Sequence, residues 1–270
     1  MTSHPDPRAL DPQLIGQAAG PFWRSVEVVA QTGSTNADLV ARCADRDAVG
    51  HVLIADHQVA GRGRHGRVWS SPPGAQLAMS AAVGSGGVAA AGVLGWLPLL
   101  TGVAAVRAIR TVTGVDAVLK WPNDVLVDGA KVAGILAELA HGTHPAVVIG
   151  LGINTGLQVA ELPVPTATSL NLHTDRPVDR SALAGAVLAE LAEGVRSWPQ
   201  DIDALTASYR EVCSTIGARV RMELPGDRSI VGTARDVDEF GRIVVLADGA
   251  DSPTALAAGD VTHLRAIPAG

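Results

Sequence analysis

A chain of 270 residues has room for one or two domains, and a 47% share of hydrophobic residues gives it ample material for a buried core, so it is globular rather than disordered. The formal net charge of −6 argues against a broad nucleic-acid-binding surface. Only two cysteines occur, Cys43 and Cys213, far apart and without metal-ligand spacing, which fits two structural thiols in a reducing cytoplasm.

In chain order, Met1 to Pro7 lacks a basic segment followed by an apolar one, so no secretory signal is expected. Residues 1–20 read as a loosely held leader with a short helix near Gln13 to Ala18. Val26 to Ala30 has the composition of a strand, and Ser34 or Thr35 is placed to cap a helix over Ala37 to Ala44. The run Thr32-Gly33-Ser34-Thr35-Asn36 is either simply that cap or a polar pocket at a helix N-terminus for a small neutral ligand. His51 to Ala60 is a buried-type strand that delivers the chain to Gly61-Arg62-Gly63-Arg64-His65-Gly66-Arg67-Val68-Trp69.

That loop reads as an anion cradle. Its glycines let the backbone fold tightly around a ligand, and Arg62, Arg64 and Arg67 supply forked donors and fixed charge suited to phosphates and carboxylates. The spelling also satisfies the dinucleotide-binding G-x-G-x-x-G. That reading needs a helix directly afterwards and an acidic residue about 20 positions on. Here Trp69-Ser70-Ser71-Pro72-Pro73-Gly74 follows, and no Asp or Glu occurs from Val68 to Val106, so the dinucleotide reading is set aside. An RGG-like nucleic-acid loop would repeat itself and sit in a basic chain, and neither holds here. A solvated basic loop stays open until other segments point to the same site.

No charged residue lies between Arg67 and Arg107, a length that would permit a membrane span. Gly84-Ser85-Gly86-Gly87 divides it into a strand from Gln76 to Val83 and a helix from about Val93 to Val112, so a buried strand and a core helix are expected instead. Val118 to Lys120, Val125 to Val127 and Val132 to Leu139 follow as strands. Asp128-Gly129 forms a hairpin turn that gathers Asn123, Asp124 and Lys131. Val147 to Asn154 is an apolar strand whose Gly150 and Gly152 imply close approach of a ligand or another backbone. Asp179 caps a helix to about Trp198, and a second helix runs from Asp201 to about Ile216. Beyond Gly217, short β-type runs over Ala218 to Glu223, Ser229 to Val237, Arg242 to Leu246, Thr254 to Leu256 and Val261 to Arg265 indicate a small barrel. The expected organisation is a leader over 1–20, a main domain over 21–216 and a barrel over 217–270.

If the loop, the Trp121-Pro122-Asn123-Asp124 turn and Lys131 share one site, it holds several cations and one carboxylate but no serine-base or cysteine-base pair. Such a set suits phosphoryl or nucleotidyl transfer, with Asp124 able to hold Mg²⁺ through water.

The ordered set Ser34-Thr35-Asn36, Gln58, Gly61 to Trp69, Lys120 to Asp124, Lys131-Val132-Ala133-Gly134-Ile135-Leu136 and Gly150 to Asn154 resembles the motifs of biotin protein ligases. The resemblance implies an α+β fold, in which a mixed sheet with flanking helices forms a biotin/lipoate ligase-like catalytic domain followed by an SH3-like barrel. It also implies that ATP and Mg²⁺ convert biotin to biotinyl-5′-adenylate with loss of pyrophosphate. The biotinyl group then passes to a lysine of a biotin carboxyl carrier domain, from an acyl-CoA or pyruvate carboxylase.

By the same resemblance, Ser34, Thr35, Asn36, Gln58, Gly61, Arg62, Gly63, Arg64, Lys131, Gly134 and Gly152 bind biotin. Arg64, Arg67, Trp69, Gln76, Asn123, Asp124 and Asn154 serve the nucleotide. Lys131, Arg62, Arg64 and Arg67 carry the chemistry, and Asp124 meets the Mg²⁺. No tightly bound prosthetic group is implied. Ser34 already belongs to the catalytic motif set, so no DNA-binding domain, nucleic-acid partner or membrane partner is expected, and the protein is expected to be cytoplasmic, as a monomer or weak homodimer. The glycine content of the loop predicts disorder before ligand binds. Two rivals remain, a lipoate or octanoate ligase of the same fold and a non-catalytic biotin-adenylate sensor.

Overall fold

The computed structural model describes residues 9–85, 92–142, 144–224, 228–257 and 260–263. In chain order the elements are α1 (Pro12–Ala19), β1 (Ser25–Thr32), α2 (Thr35–Asp45), β2 (His51–Gln58), β3 (Gln76–Gly84), α3 (Trp96–Thr113), β4 (Val118–Lys120), β5 (Asp124–Val127), β6 (Ala130–Ala140), β7 (Ala146–Asn154), α4 (Arg180–Ser197), α5 (Ile202–Val212), β8 (Arg219–Leu224), β9 (Arg228–Val237), β10 (Ile243–Ala247), β11 (Thr254–Leu256) and β12 (Asp260–His263).

The first seven strands form one mixed sheet in the order β1-β2-β3-β7-β6-β5-β4. Only β1 and β2 are parallel. A parallel pair needs a long crossover, and the segment carrying α2 supplies it. The remaining neighbours are antiparallel, so each strand's side chains alternate between two faces in step with its neighbour's.

Register then decides what each face carries. Leu77, Met79, Ala81 and Val83 of β3 and Val147, Ile149, Leu151 and Ile153 of β7 join the large core beneath α1, α3, α4 and α5. The alternate residues of β3, β7 and β6 face the other way. There Ala82, Val148, Ala146 and Ala140 pack beneath Leu39 and Cys43 of α2 as a second, smaller core. Farther along the same face, Ala78 pairs with Gly152 and Ser80 with Gly150, and these glycines pair in turn with Gly134 and Leu136. Apart from the first turn of α2, which sets Asn36 against Gly150, that end is not covered by helix.

Within the charge-free stretch after Arg67, the strand and the helix are core, as expected. Every residue from Gln76 to Val83 is buried. α3 is buried on most of its surface because it lies between the sheet and α4 and α5. Gly102 permits this closeness, since a Cβ there would stand 2.7 Å from a Leu119 methyl. Among the described residues, no helix is long and apolar enough to cross a membrane. The helix begins at Trp96, later than expected, because residues 92–95 form turns.

The leader expectation needs correction. Residues 1–8 lie outside the described residues, but α1 is not loosely held: Ile15 is fully buried and Ala19 nearly so, against α4. Asp11 caps α1, accepting from Gln13 and Leu14, while its own backbone N–H donates to Ser181 Oγ at 2.9 Å. Amphipathic spacing over so short a segment was too weak to reveal the docking.

The C-terminal strands form a separate antiparallel sheet in the order β11-β10-β9-β8-β12. Residues 264 and 265 of the last expected strand lie outside the described residues. Two buried indoles fasten this sheet to the first: Trp96 Nε1 donates to the Glu239 carbonyl at 3.0 Å and Trp121 Nε1 to the Gly241 carbonyl at 3.1 Å. Trp96→Phe removes one of these donors and leaves a carbonyl without its partner. It is expected to lower stability by roughly 1–3 kcal/mol, read as a lower urea midpoint at unchanged slope.

Candidate active site

The uncovered end of the sheet face becomes a cavity because three of its side chains are missing. A Cβ on Gly150 would lie 2.3 Å from Asn36 Oδ1, and one on Gly152 would lie 2.5 Å from Trp69 Nε1. On Gly134 it would lie 3.2 Å from Lys131 Nζ. Asn36 and the Trp69 indole therefore rest directly on the β7 backbone, and they wall a cavity of about 670 Å³. That size falls within the roughly 300–1,000 Å³ of small-molecule sites.

The β5–β6 hairpin turns at Asp128 and Gly129, with φ of 49° and 78°, the positive pair a two-residue turn requires. Its register then shifts between Val125 and Leu126, so that Leu126 faces Lys131 while Val125 faces Ala133. This bulge has a direct chemical consequence. Lys131 and Gly134 are an odd number of positions apart and would point to opposite faces of a regular strand, yet both line the cavity. Lys131 Nζ stands 2.5 Å from Asp124 Oδ1 and 5.7 Å from the Trp69 ring centre.

At the α2 end the cavity is polar and deeply set. Ser34, Thr35, Asn36 and Gln58 are all buried. Ser34 caps α2. Thr35 gives its backbone N–H to Gln58 Oε1 at 2.8 Å, which leaves the Gln58 Nε2 end toward Gly61. Thr35 Oγ1 also meets Ser80 Oγ at 2.7 Å, Ser80 donates to Asn36 Oδ1 at 2.7 Å, and Asn36 Nδ2 donates to the Leu136 carbonyl and to Glu138 Oε2.

The glycine loop closes over this floor. Arg62 and Val68 form an isolated antiparallel bridge, and the Trp69 N–H donates to the Gly61 carbonyl at 2.9 Å. Gly61 must be glycine, because a Cβ there would stand 2.2 Å from the Trp69 carbonyl oxygen. Four of the cations here are partnered within the protein: Arg62 by Glu138 at 3.2 Å, Arg64 by Asn123 Oδ1 at 2.9 Å, Lys131 by Asp124, and Arg67 by Asp260 of β12. Burial works to raise the Asp260 carboxyl, but the Arg67 hydrogen bond and the charges of Arg67, Arg64 and His65 outweigh it and hold the group below the usual carboxylate range.

Of the residues anticipated for the site, Ser34, Thr35, Asn36, Gln58, Arg62, Gly63, Arg64, Arg67, Trp69, Asn123, Asp124, Lys131, Gly134, Gly152 and Asn154 line this one cavity. Gly61 and Gln76 do not. Gly61 sits at the base of the loop, paired with Trp69, and Gln76 is fully buried behind Trp69, accepting its indole N–H at 2.6 Å. Asn154 donates to the Thr168 carbonyl.

Other members carried no sequence signal. Pro163, Val164, Thr166 and Ala167 form a wall that pairs with Lys131 through both its backbone N–H and its carbonyl. Asp260 and Val261 reach in from the C-terminal sheet. Arg180, at the start of α4 and 3% exposed, meets Asp56 at 2.5 Å and the Gln76 carbonyl at 2.9 Å, and so ties down the strand ends behind Trp69. All of these depend on tertiary placement.

The Arg67–Asp260 pair has a defined pH signature. A carboxyl whose folded pKa lies below its unfolded value contributes stability at neutral pH, and that contribution is lost as the pH falls through the folded pKa. Asp260→Asn is expected to cost under about 1 kcal/mol at neutral pH, with the difference from wild type shrinking as the pH falls below the usual carboxylate range. Urea unfolding of both proteins at neutral and acid pH checks this.

Known proteins resemble this chain in sequence and fold. The model of the biotin/lipoate A/B protein ligase family matches residues 34–154, and that of the biotin protein ligase C-terminal domain matches residues 215–264. The chain is 46% identical over 265 residues to a biotin–[acetyl-CoA-carboxylase] ligase of Mycobacterium tuberculosis, covering 96% of each chain. It is 34% identical to the bifunctional ligase/repressor BirA of Escherichia coli over 89% of this chain and 74% of that one. A biotin protein ligase from Aquifex aeolicus, solved in complex with biotin and ATP, superposes with a TM-score of 0.76 at 25% identity, covering 90% of this chain and all of that one. Sequence and fold together show that this chain belongs to the biotin protein ligases of the biotin/lipoate A/B protein ligase family.

Proposed function

We propose that the protein activates biotin with ATP, forming biotinyl-5′-adenylate and pyrophosphate, and then transfers the biotinyl group to a lysine of a carboxylase carrier domain. The observation that carries this reading is the convergence of Lys131 and three loop arginines on a glycine-floored cavity whose far end is lined by neutral hydrogen-bonding groups. A ligand with a polar, uncharged ring at one end and a carboxylate at the other matches that gradient.

The ring lies against Ser34, Thr35, Asn36 and Gln58, and the carboxylate points toward Arg64 and Lys131. Bringing two anions together is the main obstacle to the first step, and fixed cations in a water-poor site lower it. A carboxylate oxygen attacks the α-phosphorus, and the bond to the bridging oxygen breaks with its electrons leaving on pyrophosphate. Lys131 exchanges Asp124 for the ligand carboxylate, while Arg67 and Trp69 hold the adenylate side with Asn123 and Asn154. The glycine loop shields the mixed anhydride from water. In the second step the acceptor amine attacks the acyl carbon, an amide C–N bond forms, the acyl C–O bond breaks, and AMP leaves with that electron pair as the amine's proton passes to solvent.

Mg²⁺ in nucleotide sites is held by one or two carboxylates together with the phosphates and water. Asp124, a carboxylate lining the cavity, fits that requirement, and the cation would neutralise the leaving pyrophosphate. The acceptor is expected to be the carrier domain of an acyl-CoA carboxylase, the class named for the mycobacterial relative. The free, buried thiols of Cys43 and Cys213 suit a reducing compartment, the cytoplasm.

ATP–pyrophosphate exchange with biotin, with lipoate and without acid tests the reading. Biotin-dependent exchange that falls by about 10²–10³-fold in Lys131→Ala is the expected result. Exchange driven by lipoate would identify the wrong acid, and no exchange would leave a binding module.

A further inference from the structure

We propose that Glu138 is a positioning residue that sets the hydrogen-bond polarity of the cavity's polar end and ties that end to the glycine loop. It stands on β6 two residues beyond Leu136, on the face that carries Gly134, opposite Val148 of β7. Glu138 is not among the cavity-lining residues. Its Oε2 accepts from Asn36 Nδ2 at 2.8 Å and from Arg62 Nη2 at 3.2 Å. One oxygen thus joins a buried pocket residue to the glycine loop.

The orientation follows from donor and acceptor counting. An ionised carboxylate only accepts, and so does the Leu136 carbonyl, the other partner of Asn36 Nδ2 at 3.1 Å. Both amide protons of Asn36 are therefore spent, and Oδ1 must face Ser80. The Ser80 hydroxyl proton is committed to Asn36, so toward Thr35 Ser80 offers only lone pairs. The Thr35 hydroxyl must then donate within the protein, to Ser80 Oγ or Gln58 Oε1. Protons run one way along the chain and end on Glu138. Toward the cavity, Thr35 and Asn36 are left with lone pairs, and Gln58 with the N–H groups of Nε2. Acceptors beside a donor are complementary to a cyclic urea, which offers N–H groups beside a carbonyl; this step rests on the biotin reading above.

Because the Arg62–Glu138 pair is partly exposed, its own attraction is small, and the effect of Glu138 lies in orientation. A glutamine there keeps an acceptor but lets both amides turn over; an alanine frees one Asn36 amide proton and leaves its side chain held by the Leu136 carbonyl and Ser80 alone.

The test measures biotin and ATP KM values in pyrophosphate exchange for wild type, Glu138→Gln, Glu138→Ala, Asn36→Ala and the Asn36→Ala/Glu138→Ala double variant, with thermal stability of each. The expected result is a biotin KM raised about tenfold in Glu138→Ala and several-fold less in Glu138→Gln, with ATP KM within about twofold. Because Glu138 acts through Asn36, the double variant is expected to be hardly weaker than Asn36→Ala. Equal shifts in both KM values, or full multiplication of the two effects, would overturn the proposal. Absence of biotin-dependent exchange in the wild type would instead overturn the functional reading on which it rests.

Discussion

The site depends on one register. β3, β7 and β6 are aligned so that Ala78, Gly152 and Gly134 form one row across the sheet, and Ser80, Gly150 and Leu136 the next. Side chains on a sheet normally fill the space above it. Here two adjacent positions of β7 on that face have none, and the space passes to Asn36 and Trp69, residues delivered by a helix N-terminus and a loop. The same face, a few residues away, carries Ala82, Val148 and Ala146 and is sealed by α2. One face therefore serves as packed core at one end and cavity floor at the other, and the boundary is drawn by side-chain size alone.

Electrostatics determine how that cavity stays folded while empty. Gathering Arg62, Arg64, Arg67 and Lys131 would be costly if each were left uncompensated. Glu138, Asp260 and Asp124 supply carboxylates for three of them, and Asn123 an amide oxygen for the fourth. These partners come from β6, the C-terminal sheet and the β4–β5 turn, so the loop is moored to three separate parts of the molecule. A substrate carboxylate or phosphate that enters replaces one anion by another, which keeps the exchange near balance. The C-terminal sheet thereby joins the site through Asp260, while Trp96 and Trp121 hold it in place.

Much of this was legible in the sequence, for identifiable reasons. Asp128-Gly129 announced its hairpin because both residues tolerate positive φ, and Gly150 and Gly152 announced a close approach because nothing else explains two glycines within an apolar strand. The α2 cap and the cap of α4 at Asp179 were visible in local chemistry. What could not be read depends on partners distant in sequence. The bulge that turns Lys131 toward Gly134 leaves no mark in composition. Gln76 looked like a wall of the site, yet it lies behind Trp69 as its hydrogen-bond acceptor. Arg180, an arginine at a helix start, is buried only because α4 carries it to the ends of β2 and β3. Even α1, read as part of a loose leader, owes its order to α4.

The central claim is that the absent side chains of β7 make the binding site, and Gly152→Ala tests it most directly. Its added Cβ would fall 2.5 Å from Trp69 Nε1 and displace the indole, while the strand itself accommodates alanine readily. The measurement is kcat/KM for carrier biotinylation beside thermal stability. The account predicts a loss of about tenfold or more in kcat/KM with stability changed by less than about 1 kcal/mol. A variant with wild-type kinetics would contradict it.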